Sequence, residues 1–422
     1  MIDYSKYPKQ DILCIDCKSF FASVECAERG LDPFTTELAV ISRGESNGGL
    51  VLASTPVMKE KYGIKTGSRV FEFPLNHQFI LVPPRMGLYL ERNQQINVIY
   101  QKYAAKEDIH VYSIDETFID VGKSHALFGS NYQIARQIQS DVFKTYGVVT
   151  CVGIGDNMLL AKLALDNSAK KKAPFIAYWG YKRIEQTIWQ IQELTDFWSI
   201  GRKTKEKLNL FGIYTVKQLA HADVNLLKRQ FGVLGEELWY HANGIDSAVI
   251  SERYVAKNKN MSVSQILPRD YHNHREVEIV IREMVDQLST RLRNYALMAE
   301  VITLGIGYSR DSLERGFRKQ QKIYPSDSRK TLTDLFVKIF YENVSSEPIR
   351  SVVVSATKLK QKQALQLDLF TPPEKVISQE KLDKVIDRTR RKFGYESLIK
   401  ASSLESGATG IERSRLLGGH RK

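Results

Sequence analysis

The first part of the chain alternates short apolar runs with helical patterns, which is typical of a mixed α and β unit. The run Ile12 to Ile15 is continuously apolar, as in a strand buried on both faces, and it leads into the helical pattern SFFASVECAERG, which ends at Gly30. Farther along, HVYSIDETFIDVG contains two short alternating runs, followed by a helix over about 131–145 and the strand VVTCVGIG. The predicted order is βα, an insertion, and then ββαβ.

Two segments have different patterns. The insertion, about 31–85, contains short elements punctuated by Gly and Pro, including the strand-like LAVIS and GLVLAS and a helix VMKEKYG that ends at Gly63. This pattern predicts a small inserted subdomain. Residues 184–246 show short helical patterns separated by Gly, with no strand signal, which predicts a compact helical unit.

A second α and β unit follows a polar linker at about 247–259. Its pattern is MSVSQILP, a helix EVEIVIREMVDQLSTRLRNYAL, the strand AEVITLGIGYS, a strand near RKQQKIY, a helix KTLTDLFVKIFYENV and the strand RSVVVSATKL. The order of this unit is βαββαβ. Beyond a helix near 379–393 the chain loses apolar density, which predicts a partly ordered basic tail.

The composition fits a multidomain protein that binds a polyanion. With 422 residues, and about 150 residues per domain, two to four domains are expected. The net charge of +13 makes nucleic acid or a membrane surface the expected class of partner. No run approaches the roughly 18 apolar residues that span a bilayer, and the start MIDYSKYPKQ does not resemble a secretion signal. Four cysteines are too few for a disulfide framework, so we expect a cytoplasmic protein in a reducing compartment.

Three acidic residues lie where predicted strands end. Asp16 ends the first buried strand, and Asp115 and Glu116 lie where two strands meet, so we expect the three to converge on one sheet edge. Crowded carboxylates repel one another unless a cation neutralises them, and oxygen ligands select Mg²⁺ or Mn²⁺. Two such ions catalyse phosphoryl transfer. The alternative is that Asp115 and Glu116 are turn residues and that Asp16 caps the following helix.

Three motifs, in this order, resemble those of a known family. IDCKSFFASVE (Ile15 to Glu25), YSIDETFID (Tyr112 to Asp120) and VGIGDNMLLAKLA (Val152 to Ala164) are similar to the Y-family translesion DNA polymerases, most closely to their UmuC-like branch in Gram-positive bacteria. The resemblance implies an α+β multidomain fold shaped as a right hand, with a ferredoxin-like βαββαβ palm and a βαββαβ little finger. The implied domains are palm 1–19 and 86–183, small fingers 20–85, helical thumb 184–246, linker 247–259, little finger 260–360, and a clamp-binding peptide with the C-terminal tail at 361–422.

The resemblance also implies an activity and a metal site. The activity is low-fidelity, DNA-templated synthesis that extends primers across damaged template bases, with primer-template DNA and deoxynucleoside triphosphates as substrates. Asp16, Asp115 and Glu116 would be the catalytic acids and would hold two Mg²⁺ ions, or Mn²⁺, together with the backbone carbonyl of Cys17. Cys14 and Cys17 form a CxxC pair without a second pair or a histidine in range, so we interpret them as small apolar fillers rather than zinc ligands.

Motif position implies three residues that contact the nucleotide. Phe20 and Phe21 would belong to the substrate site, and Phe21 would be the steric gate that excludes a 2′-hydroxyl by repulsion. The alternative is that both are core residues of the first helix. Lys162 would contact the triphosphate as a point charge, and its alternative is a solvated surface lysine.

The inserted subdomain departs from the family pattern. Many relatives carry a tyrosine and an arginine on the helix before the equivalent of Gly63, whereas this chain has Glu60 near the expected basic position. We expect Lys59 to provide the contact instead, with Lys61 as the second choice. Ser54 is expected to hydrogen-bond a phosphate oxygen.

The segment FWSIGRKTKEKLNLFGIYTV has the form of a helix-hairpin-helix. A tight turn at Gly201 would expose backbone N–H groups to a DNA phosphate, and Lys203 and Lys205 would add positive charge. An ordinary helical hairpin has the same pattern and stays the alternative.

A short peptide follows the last predicted strand. Gln366, Leu367, Asp368, Leu369 and Phe370 match the peptide by which bacterial DNA polymerases dock on the sliding β clamp. The alternative is a packed apolar end of a linker. An accessory subunit of the damage response is a further partner that the resemblance allows, and no membrane partner is expected.

Two other functions compete with a polymerase. A nucleotide cyclase shares the palm topology and the paired acids, but it has no need of a helix-hairpin-helix, a clamp peptide or a net charge of +13. A catalytically silent DNA-binding relative would not need to keep Asp16, Asp115 and Glu116.

Overall fold

The structure, a computed structural model, describes residues 2–42, 48–252, 256, 259–362 and 372–421. The chain forms two compact units, Met1–Arg253 with His420–Lys422, and Tyr254–Gly419. Each unit is built on a sheet with its own apolar core. Among the described residues there is no helix with the length and apolar character needed to cross a bilayer.

The first unit alternates strands and helices and then becomes helical. Its strands are β1 (Ile12–Cys17), β2 (Leu38–Ser42), β3 (Leu50–Ser54), β4 (Ile80–Val82), β5 (Ile109–Val111), β6 (Glu116–Asp120), β7 (Thr150–Gly155) and β8 (Ile176–Trp179). Its helices are α1 (Phe20–Ala27), α2 (Pro56–Tyr62), α3 (Met86–Tyr100), α4 (His125–Phe128), α5 (Asn131–Tyr146), α6 (Met158–Ala164), α7 (Arg202–Leu210), α8 (Val216–Ala220), α9 (Val224–Phe231) and α10 (Val233–Ala242). A π-helical turn, Leu165–Ala169, continues α6.

A five-stranded sheet in the order β5-β6-β1-β7-β8 forms the centre of the first unit. β1 pairs antiparallel with both β6 and β7, which places Asp16 opposite Glu116 on one side and Cys151 on the other. The run from Ile12 to Ile15 is fully buried, as expected for a strand covered on both faces. The predicted order of βα, insertion and ββαβ is confirmed.

Two glycines of β7 allow α6 to lie directly on the sheet. A Cβ atom on Gly153 would lie 2.0 Å from the Ala161 carbonyl oxygen, and one on Gly155 would lie 2.2 Å from the Ala161 nitrogen. Since any larger side chain would collide with backbone, glycine is required at both positions. The close approach holds α6 and its π-helical continuation against the central strand β1.

The insertion after α1 forms a small sheet in the order β3-β2-β4, with an apolar cluster of its own. β2 pairs antiparallel with β3 and parallel with β4. α2 begins at Pro56 and ends before Gly63, whose φ of +66° is a conformation that glycine adopts without strain. Residues 184–246 are all described and contain no strand, and their apolar side chains pack with those of α6.

The second unit has the predicted βαββαβ order. It contains β9 (Met261–Tyr271), α11 (His274–Asn294), β10 (Leu297–Tyr308), β11 (Gly316–Ser326), α12 (Arg329–Asn343) and β12 (Ile349–Gln361). These strands form an antiparallel sheet in the order β11-β10-β12-β9, and both helices pack on it. Farther along the chain lie α13 (Pro373–Phe393), α14 (Gly410–Ser414) and the short strand β13 (Leu416–Leu417), followed by β14 (His420–Arg421), which belongs to the first unit.

The segment after α13 makes more specific contacts than the predicted partly ordered tail. The backbone N–H of Thr409 donates to Glu283 Oε2 at 2.9 Å, and the Tyr271 hydroxyl donates to the Gly407 carbonyl at 2.8 Å.

The predicted helix near 379–393 is α13, and it is docked by charged groups. Within α13, whose residues are all described, the two buried side chains are Asp383 and Asp387. Arg293 Nε donates to Asp387 Oδ2 at 2.6 Å, and the backbone N–H of Arg329 donates to Asp383 Oδ2 at 3.2 Å. Apolar density did not predict this docking because ion pairs hold the helix in place.

Candidate active site

A cavity of about 780 Å³ opens at the end of β1. Its wall combines the end of β1, the start of α1, parts of β3 and α2, and the loop that precedes β8. The lining residues are Asp16, Cys17, Lys18, Ser19, Phe20, Phe21, Phe34, Leu52, Ala53, Pro56, Lys59, Glu60, Thr66, Asp115, Lys170, Lys171, Lys172, Ala173 and Phe175.

The three predicted acids lie next to one another at the edge of this cavity. Asp16 and Glu116 are paired across β1 and β6, and the backbone N–H of Cys17 donates to the Asp115 carbonyl at 2.9 Å. Asp16 and Asp115 line the cavity. The helix that follows β1 has Ser19 at its N-cap, so Asp16 does not serve as the cap. The structure therefore brings together the acids whose convergence was predicted.

Asp16 is paired with a lysine. Burial raises the pKa of Asp16 to about 6, while Lys170 opposes this shift and Asp115 adds to it. Lys170 Nζ lies 2.9 Å from Asp16 Oδ2 and 2.9 Å from Asp166 Oδ1. Burial disfavours the ammonium form of Lys170, but the two carboxylates outweigh burial and raise its pKa. A cation is thus held at the acidic edge of the cavity.

Glu116 is buried between a thiol and a lysine. Cys14 Sγ donates to Glu116 Oε1 at 3.2 Å, and Lys162 Nζ donates to Glu116 Oε2 at 2.7 Å. Lys162 is itself 7% exposed and also pairs with Asp166 at 2.9 Å. The described cavity lining does not include Lys162, and its charge faces Glu116 and Asp166, so its contact with the triphosphate stays a prediction. It is not a solvated surface lysine.

The chemistry of the acids fits a divalent cation. Asp16, Asp115 and Glu116 offer only oxygen, the ligand that Mg²⁺ and Mn²⁺ prefer. Asp16 and Glu116 each face a lysine, and Asp115 Oδ1 accepts from Ser113 Oγ at 2.6 Å. Because the carboxylates are turned to these partners, the described residues contain no ready-made cluster of three metal-binding side chains. Bound cations would relieve the crowding that contributes to the raised pKa of Asp16.

Sequence reasoning missed four lysines of the cavity wall, one directly after β1 and three after the π-helical turn. Lys18, Lys170, Lys171 and Lys172 line the cavity. Lys18 Nζ donates to the Lys170 carbonyl at 3.0 Å and lies 4.5 Å from the centre of the Phe175 ring, which fixes the loop beside the cavity. The run of three lysines shortly after VGIGDNMLLAKLA was the available signal.

The two adjacent phenylalanines of α1 differ in exposure. Phe20 is 3% exposed and belongs to the core, whereas Phe21 is half-buried. Both touch the cavity. The Phe21 ring stacks on Tyr89, with ring centres 4.4 Å apart and an interplanar angle of 13°. Phe21 is therefore the member of the pair with more surface available to a ligand.

The inserted subdomain contributes Lys59. Its Nζ donates to Ser19 Oγ at 2.8 Å beside the cavity, and burial followed by repulsion from Lys18 lowers its pKa. Lys61 points to a different partner, Glu37, at 3.2 Å. Ser54 is fully buried and donates to the Ile64 carbonyl at 2.7 Å, which corrects its assignment to a phosphate, because its hydroxyl is already used within the core.

The predicted helix-hairpin-helix has an exposed turn. Gly201 is exposed and is the N-cap of α7, and Lys203 is exposed on the first turn of that helix. Lys205 is partly buried and pairs with Glu193, so part of its charge is neutralised within the protein.

The predicted clamp-binding residues lie outside the described residues. They are Gln366, Leu367, Leu369 and Phe370.

Comparisons with known proteins give a consistent result. Residues 15–166 match the model of the impB/mucB/samB family, and residues 258–369 match the model of that family's C-terminal domain. The chain is 37% identical over 422 residues, all of both chains, to the UV-damage repair protein UvrX of Bacillus subtilis. It is 33% identical to DNA polymerase IV 2 of the same organism, covering 97% of this chain and 98% of that one.

A solved structure has the same fold. It is the Y-family DNA polymerase chimera Dbh-Dpo4(243-245)-Dbh, which matches with a TM-score of 0.66 and 20% identity over 83% of this chain and 99% of that one. The predicted right-hand polymerase fold is confirmed by this match. With two family models and full-length relatives in agreement, the chain belongs to the impB/mucB/samB family, the Y-family of translesion DNA polymerases.

Proposed function

We propose that this protein is a DNA-directed DNA polymerase of low fidelity that extends primers across damaged template bases. Its substrates are primer-template DNA and deoxynucleoside triphosphates. The observation that carries the proposal is the pairing of Asp16 with Glu116 across β1 and β6, at the edge of a cavity whose other walls hold Lys59 and Lys170. Acids with lysines beside them suit a triphosphate that reacts next to metal ions.

The acids are proposed to hold divalent metal ions, on which this family depends, and Mg²⁺ is the proposed metal. Asp16, Asp115 and Glu116 would be the side-chain ligands and the carbonyl of Cys17 a further one. Bound there, the ions would acidify the attacking primer hydroxyl and stabilise the leaving pyrophosphate. Lys162 holds Glu116 in place from inside the protein, at 2.7 Å.

The lysines of the cavity are proposed to bind the triphosphate. Lys170 is held at 2.9 Å from Asp16 and Lys59 at 2.8 Å from Ser19, so both ammonium groups lie at the cavity wall. An incoming polyanion offers each lysine more negative charge than its present partner does. These contacts position the reacting phosphate near the acids.

Phe21 is the proposed steric gate. Its ring is half-buried at the cavity wall, and a 2′-hydroxyl on the bound sugar would have to displace it. Low fidelity is proposed from the resemblance to the family: an open site forms few contacts with the nascent base pair, so discrimination would be set mainly by base pairing itself.

DNA is proposed to bind to two basic surfaces, one in each unit. In the first unit, Gly201 and Lys203 present a backbone N–H and a charge to a phosphate, with Lys205 nearby. In the second unit, the edge strand β11 exposes Arg318 and Lys322. Phosphate contacts of this kind bind without reading sequence, and they weaken as salt increases.

The peptide from Gln366 to Phe370 is the proposed docking site for the sliding β clamp, on its sequence pattern alone. We also propose a cytoplasmic location, which suits the four free, buried cysteines. The nucleotide cyclase and the silent DNA-binding relative are not favoured, because the full-length relatives include proteins named DNA polymerase IV and the acids are in place.

Primer extension on matched templates, one intact and one with a single damaged base, tests the proposed function. The protein should extend the primer on both templates when Mg²⁺ is present and on neither when chelator removes it. Single-nucleotide insertion should show weak discrimination between correct and incorrect bases. Extension that stops at every damaged base tested, or discrimination as strong as that of a replicative enzyme, would contradict the proposal.

A further inference from the structure

Tyr89 links the proposed sugar gate to a buried ion pair. Phe21 and Glu25 lie one turn apart on α1, and Tyr89 of α3 contacts both of them. Its ring stacks on Phe21 at 4.4 Å and 13°, and its hydroxyl donates to Glu25 Oε1 at 2.7 Å. Phe21, Tyr89 and Glu25 therefore form a triangle, in which Tyr89 contacts the other two side chains and α1 connects them.

Glu25 is a firm anchor for this triangle. The side chain is fully buried, where an unpaired carboxylate would be strongly unfavourable. Arg85 donates to both of its oxygens, from Nε at 2.9 Å and from a terminal nitrogen at 2.6 Å, and Arg29 donates as well. Burial acts to raise the pKa of Glu25, but the hydrogen bonds from Arg85 and Tyr89 outweigh it and hold the pKa below its usual value.

Tyr89 has little freedom to move. It is fully buried, its hydroxyl is bonded to Glu25, and its ring lies almost parallel to that of Phe21. Phe21 can move away from the cavity only if Tyr89 also moves. Rotating Tyr89 would break its hydrogen bond to a buried carboxylate, which is unfavourable because water has no access to this buried position to replace the lost bond.

We propose that Tyr89, fixed by Glu25 and Arg85, is a positioning residue that makes the Phe21 gate rigid and so sets how strongly ribonucleotides are rejected. The inference rests on the proposed role of Phe21 as the gate. Steric exclusion requires a ring that stays in place. If the Phe21 ring could move away, a ribonucleotide would bind with little steric penalty. Of the described residues, the cavity lining includes Phe21 but neither Tyr89 nor Glu25, so Tyr89 would act through Phe21.

Insertion kinetics with a deoxynucleotide and the matching ribonucleotide test this inference. The measured quantity is the sugar ratio, which is kcat/KM for the deoxynucleotide divided by kcat/KM for the ribonucleotide. It is compared between the parent and the variants Phe21→Ala, Tyr89→Leu and Tyr89→Phe. Tyr89→Leu removes the stack, and Tyr89→Phe removes only the bond to Glu25. We expect the ratio to fall most in Phe21→Ala, by roughly tenfold in Tyr89→Leu and by a few-fold in Tyr89→Phe.

Tyr103→Phe is the matched control. Tyr103 is also almost fully buried, and its hydroxyl donates to a carboxylate, Asp141, at the same distance of 2.7 Å, but neither residue lines the described cavity. The sugar ratio should be unchanged in this variant. If Tyr89→Leu should fail to fold, Tyr89→Phe still decides the question, because it removes one atom only.

The outcomes separate the two claims. A ratio that falls in Phe21→Ala but stays at the parent value in both Tyr89 variants overturns the positioning role and leaves the gate in place. An unchanged ratio in Phe21→Ala overturns the gate itself. An equal loss in Tyr103→Phe and Tyr89→Phe would mean that general loosening is responsible, and it would also overturn the inference.

Discussion

Lys162 Nζ lies 2.7 Å from Glu116 Oε2, and both side chains are buried. The lysine that motif position assigned to the triphosphate is thus also the counterion of a proposed metal ligand. Burial opposes its charge, but Glu116 outweighs burial and raises the pKa of Lys162. The pair therefore orients the Glu116 carboxylate and gives a buried charge its partner.

Breaking this pair should destabilise the protein. Lys162→Met leaves a buried carboxylate without its charged partner, so we expect the free energy of unfolding to fall by about 3 kcal/mol. Urea denaturation measures the change. Lys330→Met is the control: Lys330 pairs with Asp334 at the same distance of 2.7 Å, but that pair is exposed, and we expect a change of less than about 1 kcal/mol. Equal losses in both variants would contradict this account of Lys162.

Removing Lys170 should weaken nucleotide binding. Lys170→Ala deletes a cation from the cavity wall, so we expect KM for the incoming nucleotide to rise by about tenfold or more while the protein stays folded. Steady-state insertion of one nucleotide measures this. Lys61→Ala removes a lysine that pairs with Glu37 instead, and it should leave KM unchanged. A parental KM in Lys170→Ala would show that other residues bind the triphosphate.

The stability that Asp387 contributes to the docking of α13 should depend on pH. Burial alone would raise the pKa of Asp387, but its bonds and charge attraction to Arg293 outweigh burial and lower it. A lowered pKa means that Asp387 contributes stability above the unfolded-state value of about 3.9, and that this contribution is lost as the pH falls through the lower, folded value.

Asp387→Asn isolates that contribution. The difference in unfolding free energy between parent and variant should be constant, at about 3 kcal/mol, above about pH 5 and should shrink below about pH 4. Denaturation of the second unit at several pH values measures it, with Asp334→Asn as an exposed control. A difference that is independent of pH would contradict the ion-pair explanation of the docking.

The clamp peptide should be separable from catalysis. Changing Leu369 and Phe370 together to Ala removes most of the apolar surface that so short a peptide can bury, so clamp affinity should fall by at least about a hundredfold. Extension without the clamp should stay at the parental level, while stimulation by added clamp is lost. Leu313→Ala, at a leucine that is 97% exposed, serves as the control. Undiminished clamp binding by the double variant would place the contact elsewhere.

The parts of the fold that local pattern determines were predictable. The buried run from Ile12 to Ile15, the two βαββαβ orders and the meeting of Asp16 with Glu116 all follow from periodicity and strand ends. What pattern could not supply was the direction in which a charged side chain points. Lys162 faces inward, and Lys170 lines the cavity directly after a π-helical turn that the pattern did not predict.

The hydrophobic pattern also could not predict contacts between residues that are far apart in the sequence. Glu25 and Arg85 carry no signal that they pair, since sixty residues separate them and the pair forms only when α3 packs on α1. The docking of α13 was missed for a related reason. Its contact surface is charged, and the hydrophobic pattern on which such predictions rest contains no information about complementary ion pairs.

Primer extension by Asp115→Ala in the presence of Mg²⁺ tests the central claim most directly. Asp115 lines the cavity beside Asp16, and among the described residues its side chain hydrogen-bonds locally, to Ser113, so the variant should fold and bind DNA as the parent does. We predict that extension falls by orders of magnitude, because a proposed metal ligand is gone. Near-parental extension by the folded variant would contradict the assignment of this site.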